Sequence, residues 1–431
     1  MEKRLEEVTR EVGDFYQKIT KYISMNTPDI SPMWRNIMLT TQKIINSPNL
    51  FDKKLQEIHR WVLYSLQHKP EVLRYQTDWW LNFLKNIEMP IESFPTMIAE
   101  SEFVNSEFCT AIAGGGQRIT PDFLRRLTHV AAYIRRHYNL PHYRFNVLEL
   151  GAGYGGFART FRLFYPNHSY FIIDIPDTLY FSAGFIKLNF PDAKVLLVSS
   201  EEDYLNKNPK EYDFIFIPIG LEHILHGETF DLFVNTHSLG EMQNHTIIKW
   251  FDFIQNKVKI KRTYMLNRFL NRLNVPNGQH RLNENRCSVI FDALWNIKYW
   301  EFEPPFMRCP FTETPENQCV LVMAERNENA ADDMIRKNRS DYLFENVSYQ
   351  DWFQFVKSYN PFYSTSSLFT KPERVQDFTM NGTLFNLWES IRLNENRNNI
   401  AAMLSYMKYI NLMGPEFEEY YYYLERYSSL G

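Results

Sequence analysis

Glycine is the residue that this sequence most clearly lacks. Only 16 of its 431 residues are glycine, whereas average usage of ~7% would give about 30. The shortage is uneven, because seven of the 16 lie between Gly114 and Gly156, while the first 113 residues contain one. Glycine-poor segments favour helices, in which a glycine costs ~1 kcal/mol relative to alanine. The central cluster instead indicates a place where the backbone approaches a ligand closely.

Other absences exclude broad classes of protein. The four cysteines form no CxxC pair and are too few for a disulfide scaffold, so free thiols are expected. No apolar run of ~18 residues occurs and the N-terminus is charged, which argues against a membrane span or a secretory signal. The net charge of −4 lacks the positive excess of non-specific nucleic-acid binders. The sequence therefore predicts a cytoplasmic protein that binds no nucleic acid.

What is present indicates a globular protein with helical ends. Apolar residues make up 44% and charged residues 23% of the chain, and its length predicts two or three domains. Residues 1–117 are predicted to be helical, because apolar residues recur at three- and four-residue spacing, as at 52–68. A C-terminal helical region is predicted over 326–431. It includes the run of four tyrosines at 420–423, which is predicted to pack on the sheet domain or on a partner subunit.

A well-marked helix start precedes the glycine-rich turn. Thr120 is a predicted N-cap, Pro121 occupies the first helical position, and Asp122 adds an acid to the first turn. The helix is expected to continue to about residue 137. Its two arginine pairs, at 125–126 and 135–136, are predicted to lie on solvated faces.

From residue 144 the pattern changes to short apolar runs separated by amphipathic stretches. The runs predicted as strands are 145–150, 169–174, 194–199, 213–218, 231–236, 263–267, 295–302 and 318–325. Near-continuous apolar strands that alternate with helices indicate a parallel sheet covered on both faces. The last two runs are predicted to be an antiparallel edge pair. Residues 118–325 are thus predicted to form an α/β, Rossmann-like domain between the two helical regions.

The run FNVLELGAGYGGFARTF at 145–161 combines a strand, a glycine-rich turn and a helix start. Gly151 and Gly153 would let the backbone approach a ligand, and the helix that follows would present free N–H groups. Together with Gly156 they also satisfy G-x-G-x-x-G, the dinucleotide fingerprint, so a nicotinamide cofactor is one alternative. Gly114 to Gly116 belong to a separate loop, which is predicted to close over the cofactor.

Two carboxylates bear on the choice of cofactor. Glu149 stands near the end of the first strand, where it would help to hold a cationic, methionine-like ammonium; the alternative is a structural salt bridge. Asp174 ends the second strand, where an acid accepts the ribose hydroxyls of either cofactor. Glu149 therefore favours S-adenosylmethionine, and Asp174 is consistent with both.

With these motifs the sequence resembles class I S-adenosylmethionine-dependent methyltransferases. VLELGAGYGG matches their glycine motif and IIDIPD their acidic motif. The later run DLFVNTHSLGEM narrows the resemblance to a sugar O-methyltransferase family of bacteria. The resemblance covers about residues 118–325.

The resemblance implies a set of residues that bind the cofactor. Gly151, Ala152 and Gly153 would line its methionine and ribose, Asp174 would hold the ribose, Ile175 would pack beside the adenine, and Asn235 would contact the amino group. Weaker candidates for the adenine side are Ser199, Ser200 and Pro218. Whether the strand at 213–218 or the one at 231–236 supplies adenine contacts is left open.

Transfer of a methyl group to a sugar hydroxyl calls for a general base, because the hydroxyl is a poor nucleophile at neutral pH. Glu241 and His237 follow a predicted strand at the carboxyl end of the sheet, where ligands of such folds bind. Both would face one pocket if a helix began at His237. The alternatives are a hydrogen-bonded structural His237 and a Glu241 that caps the helix.

The acceptor is expected to meet the polar stretch 267–286, in which His280 and Arg281 are the candidate substrate-binding residues. A solvated loop is the alternative. No metal site is predicted, since His223 and His226 lack a full set of ligands. The predicted function is methylation of a sugar hydroxyl in a nucleotide sugar or glycan precursor. The alternatives are methylation of another metabolite and a non-catalytic cofactor-binding module, and the helical regions could form a homodimer.

Overall fold

The structure is a computed structural model of the 431-residue chain. It describes residues 2–22, 32–46, 118–138, 140–141, 143–242, 244–268, 294–302 and 319–326, with short stretches and single residues between 74 and 111. The described chain divides into two compact units, Met1–Tyr264 and Met265–Gly431, and the boundary falls within a strand. The predicted division at 117/118 and 325/326 stays a prediction.

Seven α-helices are labelled here among the described residues. They are α1 (Glu2–Ile19), α2 (Pro32–Ile45), α3 (Pro121–Thr128), α4 (Gly156–Phe164), α5 (Pro176–Asn189), α6 (Glu201–Leu205) and α7 (Asn244–Asp252). Thr120 caps α3 as predicted, because its side chain accepts a hydrogen bond from the backbone N–H of Phe123 at 3.0 Å. The helix continues through a π-helical turn, His129–Ile134, to a last α-helical turn at Arg135–His137.

The described strands include all eight that the sequence predicts, with bounds that differ by at most two residues. They are β1 (Thr110–Ala111), β2 (Arg118–Ile119), β3 (Phe145–Leu150), β4 (His168–Asp174), β5 (Val195–Leu197), β6 (Phe214–Pro218), β7 (Thr229–Phe230), β8 (Leu232–Thr236), β9 (Lys259–Ile260), β10 (Arg262–Arg268), β11 (Trp295–Phe302) and β12 (Cys319–Arg326). The pairs β1–β2 and β7–β9 are separate two-stranded ladders.

The main sheet of the first unit has the strand order β10-β8-β3-β4-β6-β5. The pairs β3–β4, β3–β8, β4–β6 and β5–β6 are all parallel. Every residue of β4 and β6 is buried, as expected for parallel strands covered by helices on both faces. The sheet has one strand more than a minimal Rossmann-like sheet would need on this side. Strand β6 follows β5 in the chain but lies between β4 and β5.

The second unit contains the end of β10 and the antiparallel pair β11–β12, in the order β11-β12-β10. The predicted fold class, a mostly parallel Rossmann-like sheet with an antiparallel edge pair and accompanying helices, is therefore confirmed. None of the helices within the described ranges is long and apolar enough to cross a bilayer.

The N-terminal helices pack on the α/β core. Helix α1 buries an apolar stripe at three- and four-residue spacing, formed by Leu5, Val8, Val12, Phe15 and Ile19. It lies against α5, where the rings of Tyr16 and Tyr180 meet edge to face at 5.8 Å. The N-terminal segment thereby comes close to the carboxyl end of β4.

Several predicted features lie outside the described residues. They are the apolar repeat at 52–68, the loop with Gly114 to Gly116, most of the polar stretch 267–286 with His280 and Arg281, and the helical region beyond residue 326.

Candidate functional site

The glycine-rich turn begins directly after β3. The N–H of Gly151 donates to the carbonyl of Ile173 on β4 at 2.8 Å, and its φ is +75°. A Cβ at this residue would lie 2.2 Å from Oγ of Ser238, so close packing alone requires glycine here. Gly153 differs, because its φ is +57° and a Cβ would meet no atom within 4 Å. The turn is therefore packed by protein at Gly151 and open at Gly153.

Asp174, the last residue of β4, is bound to this turn. Its Oδ2 accepts the N–H of Gly153 at 3.0 Å, and its Oδ1 accepts the N–H of Ile175 at 2.8 Å. Burial raises the pKa of Asp174 to about 6, against the lowering effect of its hydrogen bonds. Each oxygen carries one backbone bond, and a carboxylate has about four acceptor positions. The carboxyl can therefore still accept hydrogen bonds from a ligand.

The end of β6 meets the same acid. Pro218 pairs with Asp174 in the sheet, and the N–H of Ile219 donates to the carbonyl of Asp174 at 3.0 Å. Ile175 and Ile219 then contribute to one apolar cluster beside the carboxylate. Of the two strands that the sequence left open, β6 lies on the side of Asp174 and Ile175, whereas β8 lies beside β3.

Glu149 is completely buried on β3. Neither carboxylate oxygen has a hydrogen-bond partner among the described residues. Burial raises the pKa of Glu149 to about 8, an effect that the nearby Tyr170 hydroxyl and the Arg126 guanidinium oppose. The salt bridge considered for this residue is thus not present within bonding distance in the described part of the chain. A buried carboxyl beside a glycine turn whose pKa is strongly raised by burial is typical of a functional site.

Arg126 lies behind the glycine turn, and its predicted position on a solvated face is wrong. Its side chain is only 17% exposed and forms an ion pair with Asp122 at 2.7 Å. Its guanidinium also contacts the hydroxyl of Tyr154 and fills the place where a Cβ of Gly156 would lie. The four-residue spacing from Asp122 to Arg126 was the available signal. The pair at 135–136 is exposed, as predicted.

Asn235 joins the end of β3 to the loop after β8. Its Nδ2 donates to the carbonyl of Leu150 at 2.8 Å and to Oγ of Ser238 at 2.6 Å, and its Oδ1 accepts the N–H of Leu239 at 3.3 Å. The side chain is buried, and these bonds occupy both of its N–H groups. Its predicted contact with the cofactor stays a prediction, and the geometry gives it a positioning role.

Glu241 and His237 lie in the segment after β8, but no continuous helix joins them. His237 has a φ of +70°, and a short 3₁₀ turn, Leu239–Glu241, follows. The carboxylate of Glu241 accepts the indole N–H of Trp34 at 2.9 Å, and its charge contributes to the raised pKa of Asp174. The charge of Glu241 thus acts on Asp174, and the bond to Glu241 identifies Trp34 as a residue that sequence reasoning missed.

The remaining predicted residues have mainly structural contacts. The carbonyl of Ala152 accepts the N–H of Gly155 at 2.9 Å, Ser199 Oγ donates to Asp203 at 2.6 Å, and Ser200 caps α6. His223 pairs with Glu201 at 2.6 Å on the surface. Across the described ranges, no three His, Cys, Asp or Glu side chains converge as a metal site would require.

Comparisons with known proteins add little to this geometry. No family profile matches the sequence, and no curated protein matches it as a relative. Among solved structures, the mitomycin 7-O-methyltransferase MmcR is 12% identical over 47% of this chain and 53% of its own, with a TM-score of 0.29. An O-methyltransferase family protein from Burkholderia thailandensis is 12% identical over 48% and 58%, also at 0.29.

The M. capricolum TrmK, solved with S-adenosylhomocysteine, is 15% identical over 69% of this chain and 96% of its own, with a TM-score of 0.29. The chain thus spans little more than half the length of the first two structures. Overlaps at this level carry no argument, so the fold class rests on the strand order. Any function has to rest on the residues of the site.

Proposed function

We propose that this protein is an S-adenosylmethionine-dependent O-methyltransferase. The observation that carries the proposal is the bond from the Gly153 N–H to Asp174 at 3.0 Å, next to open space at Gly153. It joins a glycine turn that a ligand can approach to an acid that can accept ribose hydroxyls. Glu149, buried and without a bonded partner among the described residues, favours a cationic cofactor over a dinucleotide.

The residues present fit this cofactor. Gly151, Ala152 and Gly153 would follow its methionine and ribose, and Asp174 would hold the ribose hydroxyls. Ile175 and Ile219 would form the apolar side of the adenine site. Both oxygens of Glu149 are shielded from solvent, and burial raises its pKa to about 8. A cationic cofactor nearby would favour the ionised form, and Glu149 would then act on the cofactor through its charge. Asn235 would keep the ends of β3 and β8 in register around the site.

The bound cofactor would supply a methyl group on a sulfonium, open to in-line attack by an acceptor oxygen. The residues of this chain would orient the acceptor and take its proton. Glu241 is the preferred general base because its charge acts on Asp174 and an indole N–H orients its carboxylate. His237 is the second candidate, with a reference pKa of ~6.5.

The acceptor proposed is a sugar hydroxyl in a nucleotide sugar or glycan precursor. This finer assignment is supported by the NTHSLGEM run after β8 and by the polar residues around His280 and Arg281. We retain a cytoplasmic location and a homodimer through the helical regions as parts of the same proposal. A metabolite other than a sugar remains the alternative acceptor.

Calorimetry tests the cofactor directly. Wild-type protein should bind S-adenosylmethionine and not NAD, and Asp174→Asn should weaken the binding by about 10- to 100-fold, as expected for loss of hydrogen bonds to a charged acceptor. Asp213→Asn is the matched control, because Asp213 pairs with Arg144 and Arg162 beside the start of β6. Binding of NAD alone, or equal affinities in both variants, would contradict the proposal.

The acceptor needs a separate experiment. Purified protein and S-adenosylmethionine would be incubated with panels of nucleotide sugars, glycan precursors and other hydroxylated metabolites, and the products weighed by mass spectrometry. Methylation confined to non-sugar acceptors would overturn the sugar assignment and keep the methyltransferase. Cofactor binding without turnover on any panel would favour the non-catalytic module.

A further inference from the structure

One face of helix α2 follows the edge of the candidate site. Trp34, Met38 and Thr41 are spaced by four and three residues, so they share a face. The Thr41 hydroxyl donates to Asp177 on α5 at 3.3 Å, and Met38 packs against Ile175, the residue after Asp174. The indole N–H of Trp34 donates to Oε2 of Glu241 at 2.9 Å. The helix therefore reaches from the first turn of α5 to the candidate base.

The contacts of Met38 and Thr41 are buried and hold helix α2 in place. The side chains of Met38 and Thr41 are 2% and 1% exposed. Burial raises the pKa of Asp177, the partner of Thr41, to about 6, and its hydrogen bonds to Thr41 and Tyr16 oppose the shift. Trp34 is only half-buried and also packs on the cluster of Met38, Ile175 and Ile219. Its ring is thus held in place while it faces Glu241.

The charges around Glu241 indicate what the bond from the Trp34 indole N–H does. The charge of Glu241 interacts with that of Asp174, and two like charges disfavour joint ionisation. Asp174 receives two backbone N–H groups. Glu241 receives the indole N–H, and a donor to a carboxylate favours its ionised form. A base that removes a proton from a hydroxyl has to be ionised and correctly oriented.

We propose that Trp34 is the positioning residue of the general base, which makes helix α2 part of the active site. The role depends on the methyl transfer proposed above. In that reaction the acceptor oxygen forms a bond to the methyl carbon, the bond from that carbon to sulfur breaks, and the acceptor proton passes to Glu241. A carboxylate has about four acceptor positions, so a bond from the indole N–H is compatible with its taking up that proton.

A spectroscopic experiment tests the pairing without an acceptor. In full-length protein labelled with ¹⁵N at the tryptophan indoles, the Trp34 signal is the one missing from Trp34→Phe. Its shift should titrate with pH in wild type and lose that titration in Glu241→Gln, which leaves Asp174 and His237 in place. An identical titration in wild type and Glu241→Gln would overturn the proposal.

Kinetics then distinguish a role of Trp34 in positioning Glu241 from a role in packing helix α2. With an acceptor from the panel, Trp34→Phe should lower kcat about tenfold, a part of the 10²- to 10⁴-fold worth of a general base. The KM for S-adenosylmethionine should stay within twofold, and the acidic limb of the pH–rate profile should move to higher pH. Trp250→Phe is the control, since Trp250 lies on α7 and packs against Phe253, just after that helix ends. A lower melting temperature with unchanged kcat and pH profile would mean that Trp34 only stabilises the packing of helix α2.

The two proposals fail in distinguishable ways. If the wild-type protein does not bind S-adenosylmethionine, the methyl transfer is wrong and the role of Trp34 falls with it. If it binds and turns over, but Trp34→Phe matches wild type, only the role of Trp34 is wrong.

Discussion

At the scale of single residues, Glu149 has the least favourable environment in the described site. Its carboxyl is unexposed and has no bonded partner in the described chain. The lost hydration outweighs the opposing effects of Tyr170 and Arg126 and raises its pKa to about 8. Between pH 4.5 and 8 the unfolded chain releases this proton while the folded protein keeps it. Stability therefore falls as the pH rises through this window. A cationic ligand nearby would offset the cost.

Replacement by the uncharged isostere tests this reasoning. The free energy of unfolding of Glu149→Gln minus that of wild type should increase from pH 4.5 to 8 by on the order of 3–5 kcal/mol. Urea unfolding at four pH values measures it. The control Glu202→Gln, on the exposed side of α6, should show no such trend. A difference independent of pH would mean that Glu149 keeps its ordinary ionisation in the fold.

At the scale of elements, the glycine turn has two parts with different purposes. Gly151 is surrounded by protein, since a Cβ would lie 2.2 Å from Oγ of Ser238, whereas Gly153 faces open space. Both have a left-handed φ, which costs a side chain ~1–2 kcal/mol. Only at Gly151 does a clash add to that cost.

Alanine variants should separate the two parts. Gly151→Ala should destabilise the protein by more than Gly153→Ala, whereas Gly153→Ala should fold and bind S-adenosylmethionine at least tenfold more weakly. Thermal unfolding with and without the cofactor measures both effects. Gly227→Ala is the matched control, because Gly227 has a φ of +84° and equally open surroundings beyond the site. Full cofactor affinity in Gly153→Ala would mean that the cofactor does not bind beside Gly153.

The elements themselves follow from local patterns. The run 145–150 is β3 to the residue, and Thr120 caps α3, because strand hydrophobicity and N-cap chemistry depend on neighbours in sequence. The position of β6 between β4 and β5 does not follow, since an apolar strand specifies burial but no partner. The helix expected at His237 is a 3₁₀ turn after a left-handed residue.

At the scale of the whole molecule, the buried ionisable groups set how stability depends on pH. His168 is fully buried, with the rings of Phe161, Tyr170 and Phe214 centred 5.5–5.7 Å away. Burial, together with the positive charge of Arg162, lowers its pKa to about 3. Below pH 6.5 this histidine is protonated in the unfolded chain but stays neutral in the folded protein. Stability is thus lost as the pH falls towards 3.

His168→Phe should remove this acid sensitivity. Relative to wild type, its free energy of unfolding should increase by about 1.4 kcal/mol for each unit of pH below 6.5. Urea unfolding at pH 7, 6 and 5 measures the trend. Leu205→Gln, at an exposed side chain without a titratable group, is the control and should follow wild type. Parallel pH profiles for His168→Phe and wild type would show that His168 protonates within the fold.

The sequence by itself determined the strands, the glycine turn, the acid at the end of β4 and the class of fold. These depend on spacing and residue type over short distances, which the chain records directly. Only the tertiary structure decided which surfaces meet: Arg126 behind the turn, β6 beside Asp174, and Trp34 on Glu241. The last contact joins residues 207 positions apart. An apolar helix face in the sequence predicts burial, but only the packing of the folded chain decides which surface covers it.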